Sequence, residues 1–336
     1  MSELLRARTI LAGCVTALAL AACGGGGGSD SPAPSAPPTG NTPPGGAIVP
    51  DPLTPAPPVA DTPTQPGAPT LTGNIALDGR VWLNYRRTQA GLSALTHSTV
   101  IDIAAQGHSD YQRINNVISH EQVAGKQGFT GVTLSDRLAA ANYVLVRPAA
   151  FGEVISAANS SSGQYMAEEL ITAVYHRFVI FEPAFREIGT GSATATNGRS
   201  YFTANFGASN GYATTLARGQ VAVWPFDAQT AVPRNFFSDT ESPDPVPDRN
   251  EVGYPISVHA NINAPVTVQT FTLRPRGGGD LPTRLLSNAN DTHTGKSSAA
   301  IVPLSPLAAN TTYDVTFAGT VDGSAVSRNW SFTTAR

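Results

Sequence analysis

Histidine is the side chain best suited to hold a metal or move a proton near neutral pH, and this chain has 6. His176 lies in YHRFVIFEPAFREIGTG (Tyr175 to Gly191), beside Arg177, and His120 lies in ISHEQ, beside Ser119. Each has a plain structural reading. His176 can close a helix, where a cation interacts well with the dipole. His120 follows the apolar Val117 and Ile118 and can be a satisfied core histidine. Glu153, in FGEVIS, can cap a strand or pair with Arg177, and Arg177 can brace that carboxylate or neutralise an anionic ligand. A nucleophilic Ser119-His120-Glu153 arrangement is imaginable, but no nucleophile elbow is present. His97 falls in a turn. His259 and His293 are far in sequence from any acidic cluster. Asp136 and Arg137 most simply cap and brace their own helix.

The elements that must position these residues can be read from periodicity. IALDGRVWLNYRRTQAG places Leu77, Val81 and Tyr85 on one helical face and stops at Gly91. In the next helix Ser98 is the cap, and Val100, Ala104, His108 and Tyr111 share a face. His108 there reads as a hydrogen-bonded core residue, with a place beneath a cleft as the alternative. TLSDRLAAANY has Thr133 and Asp136 at capping-box spacing. GQYMAEELITAVYH reads as one further helix. Two strand-like runs, REIGTGSATA and RSYFTANFG, flank the turn signal Thr196 to Gly198. Helices followed by a hairpin predict an α+β layered domain.

The ends differ in character. Arg6 and Arg8 precede an uncharged stretch too short to span a bilayer, and it ends in LAAC, Leu20 to Cys23. This resembles a bacterial lipoprotein signal, which implies cleavage before Cys23 and lipidation of its thiol, a membrane anchor. Gly24 follows the Cys where the inner-membrane retention signal has Asp, so the expected location is the outer membrane, extracytoplasmic. The Gly- and Pro-rich stretch that follows cannot bury enough apolar surface to offset ordering entropy. The expected organisation is a signal at 1–22, a tether at 23–72, a first domain at 73–215, a Pro-rich connector at 216–250 and an all-β domain at 251–336. In that last segment short β-branched runs alternate with Pro, Gly and Asn turns, and Trp330 and Tyr313 read as core anchors. Its ending resembles bacterial Ig-like domains. Lys and Arg total 21, are scattered, and give a net charge of −3, so nucleic acid is not an expected partner.

The first domain resembles a known family. LNYRRTQAGLSALTHSTVIDIAAQGHSDY, ISHEQ, LSDRLAAANY, FGEVIS, HRFVIFEPAFREIGTG and YFTANFG, between Leu83 and Gly207, are similar in kind and order to the blocks of the CAP superfamily (cysteine-rich secretory, antigen 5 and pathogenesis-related proteins) in its bacterial, SCP-like branch. The resemblance implies an α-β-α sandwich with a cleft. His120, Glu153 and His176 match the cleft residues. The second family Glu has no clear counterpart, because Ala173, Val174 and Tyr175 occupy its place; Glu168 and Glu169 lie a turn or two earlier. Two imidazoles and a carboxylate are a reasonable shell for zinc or another divalent cation with an open position for water. Second-tier candidates are His108, Glu169 and Arg177. The first functional expectation is a non-enzymatic binding module for a divalent metal or a small apolar or peptidic ligand. The alternatives are a metal-assisted hydrolase of envelope peptide or glycan, with Glu153 as base or third ligand, and an adhesion or scaffold protein whose cleft is vestigial.

Overall fold

A computed structural model describes the backbone of residues 18–23 and the whole of residues 67–336. Most of the expected export signal and tether lies outside the described residues.

The first sheet has five strands in the order β1-β3-β5-β4-β2. They are β1 (Leu18–Cys23), β2 (Thr96–His97), β3 (Ala150–Ala158), β4 (Glu187–Thr194) and β5 (Ser200–Ala208). Strands β3, β5 and β4 are antiparallel, while β1 runs parallel along β3, from Leu18 opposite Ala150 to Cys23 opposite Ile155. The expected β4–β5 hairpin forms, and Gly198 takes φ +85° at its turn. Five helices pack around this sheet: α1 (Ile75–Gln89), α2 (Thr99–Asn115), α3 (Leu134–Ala140), α4 (Gly163–Thr172) and α5 (Val174–Ile180). Ser98 caps α2 through the Ile101 amide, and Thr133 and Asp136 form the capping box of α3, as their spacing predicts.

Glycines bring α2 onto β4. A Cβ at Gly189 would lie 2.3 Å from the Asp102 nitrogen, and one at Gly191 would lie 2.3 Å from Gln106 Cα. The alternation in EIGTG therefore clears one face of β4 for a helix backbone.

Two expectations about helices are corrected. The buried face of α1 is Asp78, Gly79, Trp82, Leu83, Arg86 and Arg87, one position on from Leu77, Val81 and Tyr85. Polar side chains can face inward there because each is paired: Asp78 accepts from Thr72 and Gly73, and Arg86 donates to Glu168. The expected single helix GQYMAEELITAVYH is two, because Ala173 is extended (φ −68°, ψ 122°) between α4 and α5.

Among the described residues, the elements from Ala222 on are all strands apart from one 3-10 turn, Ser238–Thr240. Strands β6 (Ala222–Trp224), β7 (Gln229–Val232), β8 (Asn235–Phe237), β9 (Glu251–Gly253), β10 (Ile256–His259), β11 (Val266–Pro275), β12 (Thr283–Ser287), β13 (Ser298–Pro303), β14 (Thr312–Val321) and β15 (Ser324–Thr334) follow in order. They build two four-stranded sheets, β12-β13-β10-β6 and β11-β14-β15-β7, and a β8-β9 ribbon. Residues 216–250, expected as a connector, contribute β6 and β7 to the edges of the two sheets, where neighbouring prolines are tolerated. Burial alternates along β14, and Tyr313 and Trp330 are buried. One hydrophobic core runs through both halves, joining Leu83, Ile171, Phe181 and Phe206 to Trp224, Ile256, Phe317 and Phe332. Helix α5, buried at all its positions, lies in that core.

Candidate functional site

Glu153 sits in the middle of β3, opposite Asn205 of β5, and is fully buried. A carboxylate is tolerated there only if its lone pairs are used. Arg137 of α3 supplies most of the compensation: its Nη2 donates to both Oε1 and Oε2 of Glu153 at 2.7 Å. The same guanidinium donates through Nη1 to the His120 carbonyl at 2.8 Å. Asn205, with its amide turned to satisfy both ends, donates to Oε2 at 2.9 Å. His120 Nδ1 lies 2.9 Å from Oε1. Burial would raise the Glu153 carboxyl, but His108, Arg137 and the bond from His120 outweigh it and bring it down to about 2. The carboxylate is thus ionised and acts as acceptor, so the proton of the His120 bond is on Nδ1.

His108 lies beneath this pair. Its Nε2 is 2.8 Å from the Ser119 carbonyl and 3.9 Å from Glu153 Oε1, and Gln122 donates to its Nδ1 at 3.0 Å. Burial, opposed by Glu153, lowers its pKa to about 4. His108 is therefore neutral at physiological pH, and Arg137 is the cation that holds Glu153 ionised. His108 and Gln122 together fix the backbone that presents His120.

His176 is held differently. It is fully buried on α5, and its Nδ1 lies 2.9 Å from Oε1 of Glu241, a residue beyond the first domain. The same carboxylate accepts the backbone amides of Val174, Tyr175 and His176 at 2.8, 2.7 and 3.1 Å. Among the described residues His176 Nε2 is buried without a hydrogen-bond partner. The structure thus joins His120, Glu153 and His108 through direct contacts, and gives His176 a carboxylate of its own. Strand β1 pairs along β3 and also approaches α5.

The second-tier residues fall elsewhere. Glu169 accepts from Ser156 Oγ, three positions along β3 and so on the opposite face from Glu153; burial raises its pKa. Arg177 does not pair with Glu153. It donates to the carbonyls of Ile171 and Pro255 at 2.6 and 2.7 Å and lies over the Tyr254 ring. Arg137, expected to brace only its own helix, takes the role given to Arg177, because α3 faces β3 while α5 faces the C-terminal sheets. Of the remaining histidines, His97 pairs with Asp102 at the surface, and His259 is buried against Phe178 and Phe181. His293 borders a surface cavity of about 430 Å³ with Tyr175, Asp244, Arg284 and Asp291.

Residues 83–206 match the model of the Cysteine-rich secretory protein family, CAP. The chain carries a CAP domain. Two solved structures are similar to it. One is an extracellular protein containing a SCP domain from Bacillus anthracis str. Ames, 25% identical with a TM-score of 0.33, over 41% of this chain and 44% of that one. The other is an outer surface protein from Borrelia burgdorferi, 14% identical with a TM-score of 0.33, over 39% of this chain and 90% of that one. The chain thus spans less than half of the Bacillus protein. No curated protein matches it. Among the described residues no helix is long and apolar enough to cross a membrane.

The CAP domain's residues fit a divalent cation only in part. Each of the two imidazoles has a carboxylate behind Nδ1, the arrangement that orients histidine ligands. Glu153 does not fit as a ligand, because both its oxygens are taken and a guanidinium sits against them. Among the described residues no group of three or more His, Cys, Asp or Glu side chains is arranged to hold a metal.

Proposed function

We propose that this protein is an extracytoplasmic binding module, held on the cell envelope by a lipid on Cys23, whose CAP domain contacts its ligand through the His120 imidazole. The supporting observation is the state of Glu153. A hydrolytic base needs an accessible carboxylate with a pKa near the working pH. Glu153 is buried, doubly bonded to Arg137 and lowered to about 2. It suits an orienting role: it holds the His120 ring through Nδ1 at the site. The ligand class is peptidic. Supporting this choice, strand β1, an extended run of small and apolar residues, pairs along β3 with Ala21 opposite Glu153. A divalent cation would be held by the imidazoles, and too few ligands accompany them for a tight zinc centre.

The test is calorimetric titration of zinc, and separately of the capped peptide Leu-Ala-Leu-Ala-Ala-Ser, into unlipidated chain beginning at Gly24. Saturable peptide binding, weakened by His120→Ala, is expected, with zinc binding weak. Turnover of envelope peptide or glycan that is lost in His120→Ala would overturn the binding reading in favour of hydrolysis. Absence of any binding by the wild-type protein would remove it.

A further inference from the structure

We propose that Glu241, supplied by the C-terminal β region, is the positioning residue for His176, so that the CAP domain's second imidazole is completed from outside the domain. The inference goes beyond the reading that places the ligand on His120, and it adds a second imidazole and the residue that holds it.

Helix α5 starts abruptly. Ala173, its N-cap, offers no side-chain acceptor, and the first amides of the helix would be left open inside the core. Glu241 closes them, taking Val174 N on Oε2 and Tyr175 N and His176 N on Oε1. A capping carboxylate needs nothing more. Here Oε1 also lies 2.9 Å from His176 Nδ1. A carboxylate accepting backbone N–H groups on both oxygens is an acceptor, so Nδ1 is the donor and the lone pair is on Nε2. That nitrogen is buried without a hydrogen-bond partner among the described residues. Buried polar atoms are nearly always satisfied, and an exception in a fixed tautomer points to a missing partner. An imidazole in this form takes a divalent cation or a ligand's N–H or O–H.

Glu241 is itself fixed by the C-terminal region. It follows a 3-10 turn, Ser238–Thr240, whose Ser238 donates to Asn250 O at 2.8 Å and to Arg249 O at 2.6 Å. Arg177, the next residue on α5, is tied to Pro255 and Tyr254 of the same region. Both the tilt of α5 and the tautomer of His176 are therefore set by residues beyond Phe206.

The test is long-range proton–nitrogen correlation NMR of ligand-free, metal-free full-length protein with labelled histidine. The wild-type protein is expected to show His176 as the Nδ1–H tautomer. Glu241→Gln, whose side-chain oxygen still accepts, is expected to keep it; Glu241→Ala is expected to lose it to the Nε2–H form. A cap that does not position the ring would move amide exchange at residues 174–176 and leave the tautomer unchanged in the Ala variant, which overturns the proposal. So does an Nε2–H ring in the wild-type protein, a result that stands even if the Ala variant fails to fold. The spectra are read without ligand, so failure of the binding reading gives a null titration with the Nδ1–H ring intact.

Discussion

Arg137→Met is the sharpest perturbation of the site. It removes the group that donates to both oxygens of a fully buried carboxylate, and with it the bond to the His120 carbonyl. Breaking one partner out of a buried ion pair leaves an uncompensated charge, which costs about 3–5 kcal/mol. At about 2–4 °C per kcal/mol for a body of this size, the melting temperature at pH 7.5 should fall by about 10 °C. The pH dependence gives a second handle. In the wild-type protein Glu153 is lowered to about 2, so its contribution is present above the unfolded carboxyl value and is lost as pH falls from there toward 2. Without Arg137, burial is opposed by His108 and His120 alone, so the carboxyl stands higher than in the wild-type protein and the variant has less stability to lose as pH falls. The gap between the two proteins should therefore narrow from pH 7 to pH 4. The double variant Arg137→Met/Glu153→Gln should recover much of the loss, since no charge is then buried. Urea melts at both pH values decide the matter. A loss under about 1 kcal/mol, or a gap that is independent of pH, would refute the assignment of Arg137 as the counter-ion.

Other outcomes can be checked with the same tools. Glu182 is buried, and burial, only partly offset by the Ala184 amide and Arg87, raises its pKa to about 7. Its cost therefore develops as pH rises from the unfolded carboxyl value to about 7, and Glu182→Gln should stabilise the protein above pH 7 by about 3 kcal/mol while changing little at pH 4. Gly191→Ala places a Cβ 2.3 Å from the Gln106 backbone and should cost about 1–3 kcal/mol in denaturant melts by pushing α2 off β4. Chain beginning at Gly24 lacks β1 entirely, so alternate amides of Ala150–Ile155 should exchange faster than in the full chain. Unchanged protection there would mean that β1 does not cover that edge.

What was legible in the sequence was local. Ser98 and Thr133 announce α2 and α3 because a cap acts within a few residues, and the Asn197-Gly198 turn announces the β4–β5 hairpin. The break at Ala173 left no local trace. Alanine is a good helix former, and the group that stabilises a new helix start is Glu241, far along the chain in a Pro-rich stretch. The stripe on α1 misled because hydrophobicity was taken as the mark of the inner face, and Asp78, Arg86 and Arg87 are inside through specific partners. The same limit applied to the site. Family order singled out Glu153, but its cation had to be chosen from the arginines, and nearness to His176 in sequence favoured Arg177. Only the packing of α3 on β3 picks Arg137. Residues 216–250 read as connector because their prolines outweighed the apolar run at Val221 to Trp224, which is buried in the shared core.

The continuity of that core through α5 has a consequence for how a ligand can be received. Many two-part proteins close around a ligand by swinging one lobe about a hinge. Here the plane along which lobes would separate is filled by α5, with Phe181 stacked edge-on against Trp224 at 5.1 Å and Arg177 bonded across to Pro255. Swinging would expose apolar surface and strand a buried guanidinium. On the proposed binding reading, recognition at this site therefore relies on a shape that exists before the ligand arrives.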